Sequence, residues 1–213
     1  MTFKQKIEDS KKLIVRHLVK YSKCGFACSW GKDSCVLLDL AFLTGLSPIN
    51  VFSVLSNTEF EETLQIRDHY CSKENHRFNL LNYKEYNFTQ FENAGENCCR
   101  KIKVNTFKVA VQNLDCWFAA IRADEGATRK DIQPVENTDG LVKVNPLWNW
   151  TEKDVWRYIA LNQIPVNPLY LEYRSLSCKF CSAKEEDENE SERAGRWKGT
   201  NIKECGIHTQ SLK

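Results

Sequence analysis

The sequence has no excess of charge of either sign. Its 213 residues include 30 lysines and arginines against 28 aspartates and glutamates, a formal net charge of +2 at pH 7. A protein with this balance has no overall electrostatic attraction to nucleic acid or to an anionic membrane, although a local basic patch is compatible with it. The charge balance therefore identifies no class of partner.

Long apolar runs, internal repeats and a targeting segment are also absent from the sequence. No apolar run approaches the about 20 residues that a transmembrane helix needs. Residues 1–20 mix charges of both signs and lack the apolar core and cleavage site of a signal peptide. We therefore expect a cytoplasmic protein, in which the ten cysteines are better explained as metal ligands or catalytic thiols than as disulfides.

Predicted strands and helices alternate along most of the chain, whose length suits one domain. This alternation predicts an α/β fold with a doubly wound parallel sheet. Thr151, and Thr58 together with Glu61, have the spacing of helix N-caps. The predicted strands are 24–29, 49–56, 76–82, 116–122 and 141–147, and the predicted helices are 3–20, 33–45, 57–71, 96–111 and 150–163.

The segment S-W-G-K-D-S, residues 29–34, connects the first predicted strand to the next helix. Such a connection directs backbone N–H groups and a helix N-terminus toward a phosphate, and Lys32 would add a point charge. The segment is not a Walker A loop, because Gly25 lies one residue too far upstream and Asp33 follows the lysine. The predicted nucleotide contacts from this loop are Ser29, Gly31, Lys32, Asp33 and Ser34.

Four cysteines form two close pairs. Cys98 and Cys99 are adjacent, and Cys178 and Cys181 form a C-x-x-C motif. Four thiolates can hold either a tetrahedral zinc ion or a 4Fe–4S cluster, and spacing alone does not distinguish the two. Basic residues directly after the first pair would offset the negative charge of a four-thiolate site. The sequence thus predicts a metal site and leaves the metal open.

Five segments, in order along the chain, resemble one protein family. Together they are similar to the adenylyl-sulfate and phosphoadenylyl-sulfate reductases of the adenine nucleotide α-hydrolase superfamily, from about Cys24 to His208. Residues 29–34 also resemble the S-G-G-K-D-S loop of that superfamily, with Trp30 in place of the first glycine. The five segments are C-C-R-K-I-K-V from Cys98, W-F-A-A-I-R-A-D-E-G-A-T-R from Trp117, residues 144–170, S-L-S-C-K-F-C from Ser175, and R-A-G-R-W-K-G-T-N-I-K-E-C-G-I-H from Arg193.

The resemblance implies a reaction. In this family the cysteine of E-C-G-[LI]-H attacks the sulfur of a sulfonucleotide and expels AMP or its 3′-phosphorylated form. The resulting S-sulfocysteine then releases sulfite to a thioredoxin-type thiol. By motif position Cys205 takes this role, and Lys203 and His208, close to it in sequence, would favour the reactive thiolate as cations.

The resemblance also implies a cofactor and further nucleotide contacts. The two cysteine pairs are those with which cluster-containing members hold a 4Fe–4S cluster, and such members usually take adenylyl-sulfate. The expected nucleotide-binding domain covers residues 1–170, with a cysteine-containing extension of the same domain at 171–213, and a homo-oligomer is compatible with the sequence. Further nucleotide contacts are expected at or beyond the carboxyl ends of the strands and in the extension, from Asn57, Thr58, Arg122, Arg129 and Arg196.

Two departures from the family pattern keep alternatives open. Typical reductases have lost the loop lysine that this chain retains as Lys32, and many cluster-containing members have arginine at the position of Ile102. An intact loop is typical of ATP pyrophosphatases that adenylate a nucleic acid before sulfur transfer, as in tRNA thiolation or DNA phosphorothioation. Such an enzyme would take ATP and would need a cysteine desulfurase and a nucleic acid as partners. A zinc- or cluster-bearing nucleotide sensor without turnover is the third class.

Overall fold

The computed structural model describes residues 1–46, 49–56, 58–72, 85–86, 103–138, 140–184, 191–204 and 206–208. Its helices are α1 (Phe3–Lys20), α2 (Lys32–Phe42), α3 (Glu61–Cys71), α4 (Val104–Val111) and α5 (Glu152–Asn162). Its strands are β1 (Cys24–Ala27), β2 (Val51–Val54), β3 (Glu85–Tyr86), β4 (Cys116–Phe118), β5 (Val135–Thr138) and β6 (Leu141–Val144). No helix within these ranges has both the length and the hydropathy to cross a bilayer.

The described strands form one sheet in the order β3-β2-β1-β4-β6-β5. All neighbouring strands pair in parallel except β5 and β6, which are antiparallel. The chain builds outward from β1 through β2 to β3, then returns to place β4 on the other side of β1. The predicted doubly wound α/β fold is therefore confirmed. In open sheets of this kind ligands bind at the carboxyl ends of the strands where the order reverses, here between β1 and β4.

Different helices cover the two faces of the sheet. On one face Phe26 and Phe118 stack, with ring centroids 4.2 Å apart, in a core that also takes side chains from α1, α2 and α5. On the other face Trp117 packs edge-on against Phe107 of α4, with centroids 4.9 Å apart. Residues 117 and 118 face opposite sides because side chains alternate along a strand. Buried side chains along α2 hold the helix that follows the loop firmly in the core.

The sequence pattern does not predict β5. Its residues V-E-N-T are half-buried or exposed and show no alternation of apolar residues. This is typical of a strand at the edge of a sheet. The signal that could have found it is the dipeptide Asp139-Gly140, a common hairpin turn. Thr138 pairs with Leu141 across this turn, and Gly140 has the positive φ of 81° that the turn requires.

Helix ends match the prediction in one place and differ in another. The predicted cap at Thr151 is confirmed, since its hydroxyl accepts a hydrogen bond from Asp154 N at 3.2 Å. The predicted cap at Thr58 is wrong: α3 begins later, after Phe60, without a side-chain cap. The Thr58 hydroxyl lies 2.7 Å from the Ser56 hydroxyl instead and belongs to the turn after β2.

Several strands end earlier than predicted, so that irregular chain follows them at the carboxyl end of the sheet. β4 ends at Phe118, and residues 119–121 continue as irregular chain at the carboxyl end of the sheet. The predicted strand at 76–82 and the first part of the predicted helix, 96–102, lie outside the described residues.

Candidate nucleotide-binding site

A pocket lies at the carboxyl ends of β1 and β4, where the strand order reverses. It is lined by the loop after β1, by residues 119–121 after β4, and by parts of the segments 175–177 and 193–208. Eight of the predicted site residues line it together: Ser29, Gly31, Lys32, Asp33, Ser34, Arg129, Arg196 and His208.

Other predicted residues are placed elsewhere. Arg122 is fully buried behind the pocket, Lys203 is exposed, and neither they nor Thr58 belong to the pocket lining. Nucleotide contacts from Thr58 and Arg122 stay predictions; Arg122 Nη1 is buried and has no hydrogen-bond partner among the described residues. Asn57, Cys98, Cys99 and Cys205 lie outside the described residues.

The loop after β1 delivers the N-terminus of α2 to the pocket. Gly31 is the residue before the helix, and a Cβ at this position would lie 3.0 Å from the Tyr170 hydroxyl. Trp30 has a φ of 59°, the left-handed conformation that glycine adopts without strain. Its indole N–H donates to the Ser53 hydroxyl at 3.1 Å. The tryptophan therefore keeps a glycine-like backbone and adds a buried side chain beneath the loop.

The loop lysine does not project freely into the pocket. Lys32 is 2% exposed, and its ammonium group contacts a carboxylate oxygen of Glu192 and lies 3.4 Å from Asp33 Oδ2. Burial by itself lowers the pKa of Lys32, but Asp33, Tyr170 and Glu192 raise it well above its usual value. Lys32 is therefore a charged, internally paired group.

Arg122 joins the same cluster from the end of β4. Its Nη2 donates to both carboxylate oxygens of Glu192, at 2.7 and 2.5 Å, and its Nε donates to Asp33 Oδ1 at 2.6 Å. Burial would raise the pKa of Asp33, but Lys32 and Arg122 outweigh it and hold that pKa at about 2. Two cations and two carboxylates thus neutralise one another beneath the pocket.

A second ionic cluster ties the C-terminal segment to the loop after β4. Arg129 donates through Nη1 to Glu125 Oε2 at 2.6 Å and through Nε and Nη2 to the carboxylate of Glu204 at 3.0 and 2.9 Å. Arg193 Nη2 donates to the same carboxylate at 2.9 Å. Burial raises the pKa of Glu204, but its hydrogen bond and charge interaction with Arg129 lower it overall.

Two polar groups of the pocket remain without a hydrogen-bond partner among the described residues. They are Arg196 Nε and His208 Nδ1, both shielded from solvent. The Arg196 guanidinium also stacks over Trp197, with its carbon 4.6 Å from the ring centroid. A buried polar atom without a partner is costly, so these atoms mark a place where a hydrogen-bonding group of a ligand would be stabilised.

His208 is not the cation that the sequence suggests. Its ring stacks on Trp117, with centroids 5.9 Å apart. Burial, followed by the nearby cations Lys143, Arg129, Arg193 and Lys103, lowers the pKa of His208 well below 6.5. The imidazole is therefore neutral near neutral pH, and the positive charge of the pocket comes from its lysines and arginines.

The C-x-x-C motif forms a tight buried turn. Cys178 precedes the 3₁₀ turn Lys179–Cys181, and both cysteines pack against Trp197. The hydrogen bond from Cys181 is the largest influence lowering the pKa of Cys178 to about 6, with burial opposing it and Lys103 assisting. Thiolates are the form that binds soft metals, so this turn suits half of a four-cysteine site. No group of three or more candidate metal ligands occurs within the described residues.

Backbone hydrogen bonds attach this turn to its surroundings. Lys179 N donates to Thr58 O at 2.8 Å, and Trp197 N donates to Cys181 O at 3.1 Å. Thr58 therefore contributes through its carbonyl to positioning the cysteine turn, a role that its sequence context does not indicate.

Sequence reasoning missed most of the acidic half of the site. Glu125, Glu192 and Glu204 each pair with a buried arginine. Glu125 and Glu204 stand inside the family-like segments A-D-E-G-A-T-R and K-E-C-G-I-H, which was an available signal. Glu192 lies near the end of the charged run at residues 184–193, whose composition indicates a solvated surface.

Comparison with known proteins supports one family. The family model described as the phosphoadenosine phosphosulfate reductase domain matches residues 23–184. Adenosine 5'-phosphosulfate reductase 2 of Bacillus subtilis is 32% identical over 207 residues, covering 88% of this chain and 84% of the relative. Adenosine 5'-phosphosulfate reductase of Neisseria meningitidis serogroup B is 31% identical over 223 residues, covering 96% of this chain and 89% of the relative.

Solved structures show the same fold at lower identity. A phosphoadenylyl-sulfate reductase from Candida auris, in a phosphate complex, has a TM-score of 0.63 and 18% identity, covering 80% of this chain and 88% of that chain. An FMN adenylyltransferase from Candida glabrata has a TM-score of 0.64 and 17% identity, covering 93% and 74%. The family model and the sequence relatives together establish that this chain belongs to the phosphoadenosine phosphosulfate reductase domain family.

Proposed function

We propose that the protein is a sulfonucleotide reductase, which converts adenylyl-sulfate to sulfite and AMP. The 3′-phosphorylated substrate, which would yield the bisphosphate, is the second form to be tested. The observation that carries the proposal is the meeting of two motifs: Glu204, Ile207 and His208, from the E-C-G-I-H segment, line the same pocket as the loop at 29–34. A nucleotide bound at the loop would therefore lie beside the segment that carries the proposed nucleophile, Cys205.

The chemistry is an exchange at sulfur. The Cys205 thiolate would attack the sulfate sulfur, forming an S–S bond while the bond from sulfur to the phosphate oxygen breaks. AMP leaves with that electron pair, and Cys205 becomes an S-sulfocysteine. A thiol of a thioredoxin-type protein then attacks the cysteine sulfur, and sulfite departs with the electrons of the S–S bond. A second thiol of the reductant resolves the mixed disulfide and leaves Cys205 reduced.

The described residues would bind and orient the substrate. We place the adenosine and its α-phosphate near residues 29–34 and the sulfate toward Arg196 and His208, whose buried Nε and Nδ1 atoms have no hydrogen-bond partner among the described residues. Lys103, Arg129 and Arg193 also line the pocket and would favour the anionic substrate and the thiolate. His208, being neutral, would act as a hydrogen-bond donor or acceptor. Lys203, which is exposed, would act only at longer range.

We further propose that Cys98, Cys99, Cys178 and Cys181 hold a 4Fe–4S cluster. The buried turn at 178–181 and the lowered pKa of Cys178 fit a soft metal site. When bound, the cluster would tie the cysteine segments together and add its charge to the field of the pocket. On this proposal residues 1–170 bind the nucleotide, and residues 171–213 carry two of the cluster ligands and the nucleophile.

The test is turnover of three nucleotides by the anaerobically purified protein. Adenylyl-sulfate, its 3′-phosphorylated form and ATP are supplied separately, with thioredoxin and dithiothreitol as reductants. We expect sulfite from a sulfonucleotide, and with ³⁵S-labelled substrate and no reductant we expect label retained on the protein. Cys205→Ser should abolish both signals, whereas Cys71→Ser, a change on α3, should keep them. Pyrophosphate release from ATP, or full sulfite release by Cys205→Ser, would contradict the proposal.

The ATP pyrophosphatase alternative is not favoured. Its support from the sequence was the retained loop lysine. Lys32 is buried against Glu192 and Asp33 and does not present a free ammonium group to the pocket. Lys32 is therefore compatible with a reductase.

A further inference from the structure

Glu192 pairs with the lysine of the loop at residues 29–34. Loops of this geometry bind phosphate oxygens through a lysine and through the N–H groups at the start of the following helix. Here the Lys32 ammonium group contacts Glu192, and the Lys32 backbone N–H donates to the Tyr170 hydroxyl at 3.0 Å. Both of these donors therefore already have acceptors from the protein itself.

The C-terminal part of the chain supplies these acceptors. Glu192 is separated from Lys32 by 160 positions, and its side chain is 4% exposed. It also accepts both hydrogen bonds from Arg122 Nη2. The carboxylate thus bridges two buried cations, in the way that an anionic oxygen of a ligand would.

Charge balance decides which anion the pocket can accept. Lys32 and Arg122 are matched by Asp33 and Glu192, so this part of the site has no net positive charge left. A β,γ-diphosphate placed here would face two buried carboxylates, and bringing like charges together in a desolvated site is strongly unfavourable. Among the described residues of the pocket lining, the buried polar atoms without a hydrogen-bond partner are Arg196 Nε and His208 Nδ1; beneath the pocket, Arg122 Nη1 also has none.

We propose that Glu192 is a specificity-determining residue, which fills the diphosphate position of the loop and thereby excludes nucleoside triphosphates in favour of nucleotides with a single phosphate at that position. The inference rests on the proposed function, because it explains how a chain that keeps the loop lysine selects a sulfonucleotide. It assigns Lys32 a structural role as the partner of an internal anion.

The experiment measures AMP and ATP binding to the full-length protein by equilibrium dialysis, without turnover. Wild type should bind AMP more tightly than ATP. In Glu192→Gln, which keeps the shape of the side chain and removes its charge, the ATP affinity relative to AMP should rise about tenfold or more. Glu172→Gln is the matched control, since it removes an exposed carboxylate paired with Lys184 in the same region, and should leave the ratio unchanged.

Each outcome bears on the inference. An unchanged ratio in a folded Glu192→Gln protein overturns it, and so does wild type that binds ATP as tightly as AMP. The wild-type comparison of AMP and ATP uses no variant, so it can still overturn the inference if Glu192→Gln fails to fold. If the wild-type protein releases sulfite but Glu192→Gln has the same ATP-to-AMP affinity ratio as wild type, the proposed function is supported and the role of Glu192 is contradicted. A raised ratio without sulfite release would support the role of Glu192 and contradict the reductase.

Discussion

Arg129 binds Glu204 through two parallel hydrogen bonds, from Nε to Oε2 at 3.0 Å and from Nη2 to Oε1 at 2.9 Å. Glu204 directly precedes Cys205, so this fork holds the E-C-G-I-H segment against the loop after β4. Only an arginine presents donors in this planar arrangement, and a lysine would keep the charge but not the two-point contact. The pair is thus a geometric restraint on the proposed nucleophile.

Arg129→Lys should therefore impair catalysis through positioning. We expect kcat for sulfite release to fall about tenfold to a hundredfold, because small misplacements of a reacting group are costly. The affinity for AMP should change less than kcat because the charge is retained, whereas the lost hydrogen bonds to Glu125 and Glu204 should lower the melting temperature. Arg67→Lys, which alters an arginine paired with Asp68 on α3, is the control. Equal kcat values for Arg129→Lys and wild type would argue against the restraint.

Arg122→Met should destabilise the fold. The change leaves the carboxylates of Asp33 and Glu192 to share the one buried cation Lys32, and losing a partner of a buried ion pair costs about 3–5 kcal/mol. Chemical denaturation at pH 7 measures the free energy of unfolding. Adding Glu192→Gln to Arg122→Met should recover part of the loss, with a coupling of about 0.5–3 kcal/mol.

Arg157→Met serves as the control for Arg122→Met. Arg157 is exposed and stacks on Phe3, with its guanidinium carbon 4.6 Å from the ring centroid. This change should cost about 1 kcal/mol or less. A similar loss in the free energy of unfolding in both variants would show that the buried ion pairs of Arg122 contribute no more to stability than an exposed arginine does.

The neutral state of His208 predicts loss of stability in mild acid. The pKa of His208 in the folded protein lies well below 6.5, its ordinary value. Below pH 6.5 the unfolded chain binds a proton that the folded chain does not, so stability falls as the pH decreases, by at most about 1.4 kcal/mol per pH unit from this one group. His208→Gln should flatten the dependence between about pH 6.5 and 5, and His69→Gln, at an exposed position on α3, should not. A charged His208 would give no such difference.

Loss of one cysteine of the C-x-x-C turn should release the metal. The anaerobic wild-type protein should contain about four irons and four acid-labile sulfides per chain. It should also absorb light at about 400 nm. Cys178→Ser should lose the iron and the absorbance, because a serine hydroxyl is a harder and less acidic ligand than a thiol. Cys71→Ser should retain both. A colourless wild-type protein with one zinc per chain would exclude the cluster.

The fold was largely predictable because it depends on local patterns. Apolar runs and helical periodicity locate the strands and helices that alternate around β1. Thr151 caps its helix with a partner three residues away, which is visible in the sequence. β5 was missed because an exposed edge strand has no apolar pattern, and the Thr58 cap was wrong because its hydroxyl is taken by Ser56.

The candidate site was predictable only in its basic and motif residues. Lysines and arginines at strand ends stand out because the carboxyl edge of a parallel sheet is where ligands bind. Their partners do not stand out, since the contact between Lys32 and Glu192 joins residues 160 positions apart. A charged run near the end of the chain gives no indication of which carboxylate turns inward. For the same reason the sequence suggested a free Lys32 and a charged His208.

The hydrogen bond from Lys179 to the carbonyl of Thr58 joins the cysteine turn to the wall of the pocket, because the next residue, Glu59, lines that pocket. This hydrogen bond couples the position of the cysteine turn to that of the chain at Thr58 and Glu59. Oxidation of Cys178 or Cys181 should therefore displace the chain at Glu59 and change the affinity for AMP. The affinity for AMP would then report on the state of two cysteines that AMP need not contact.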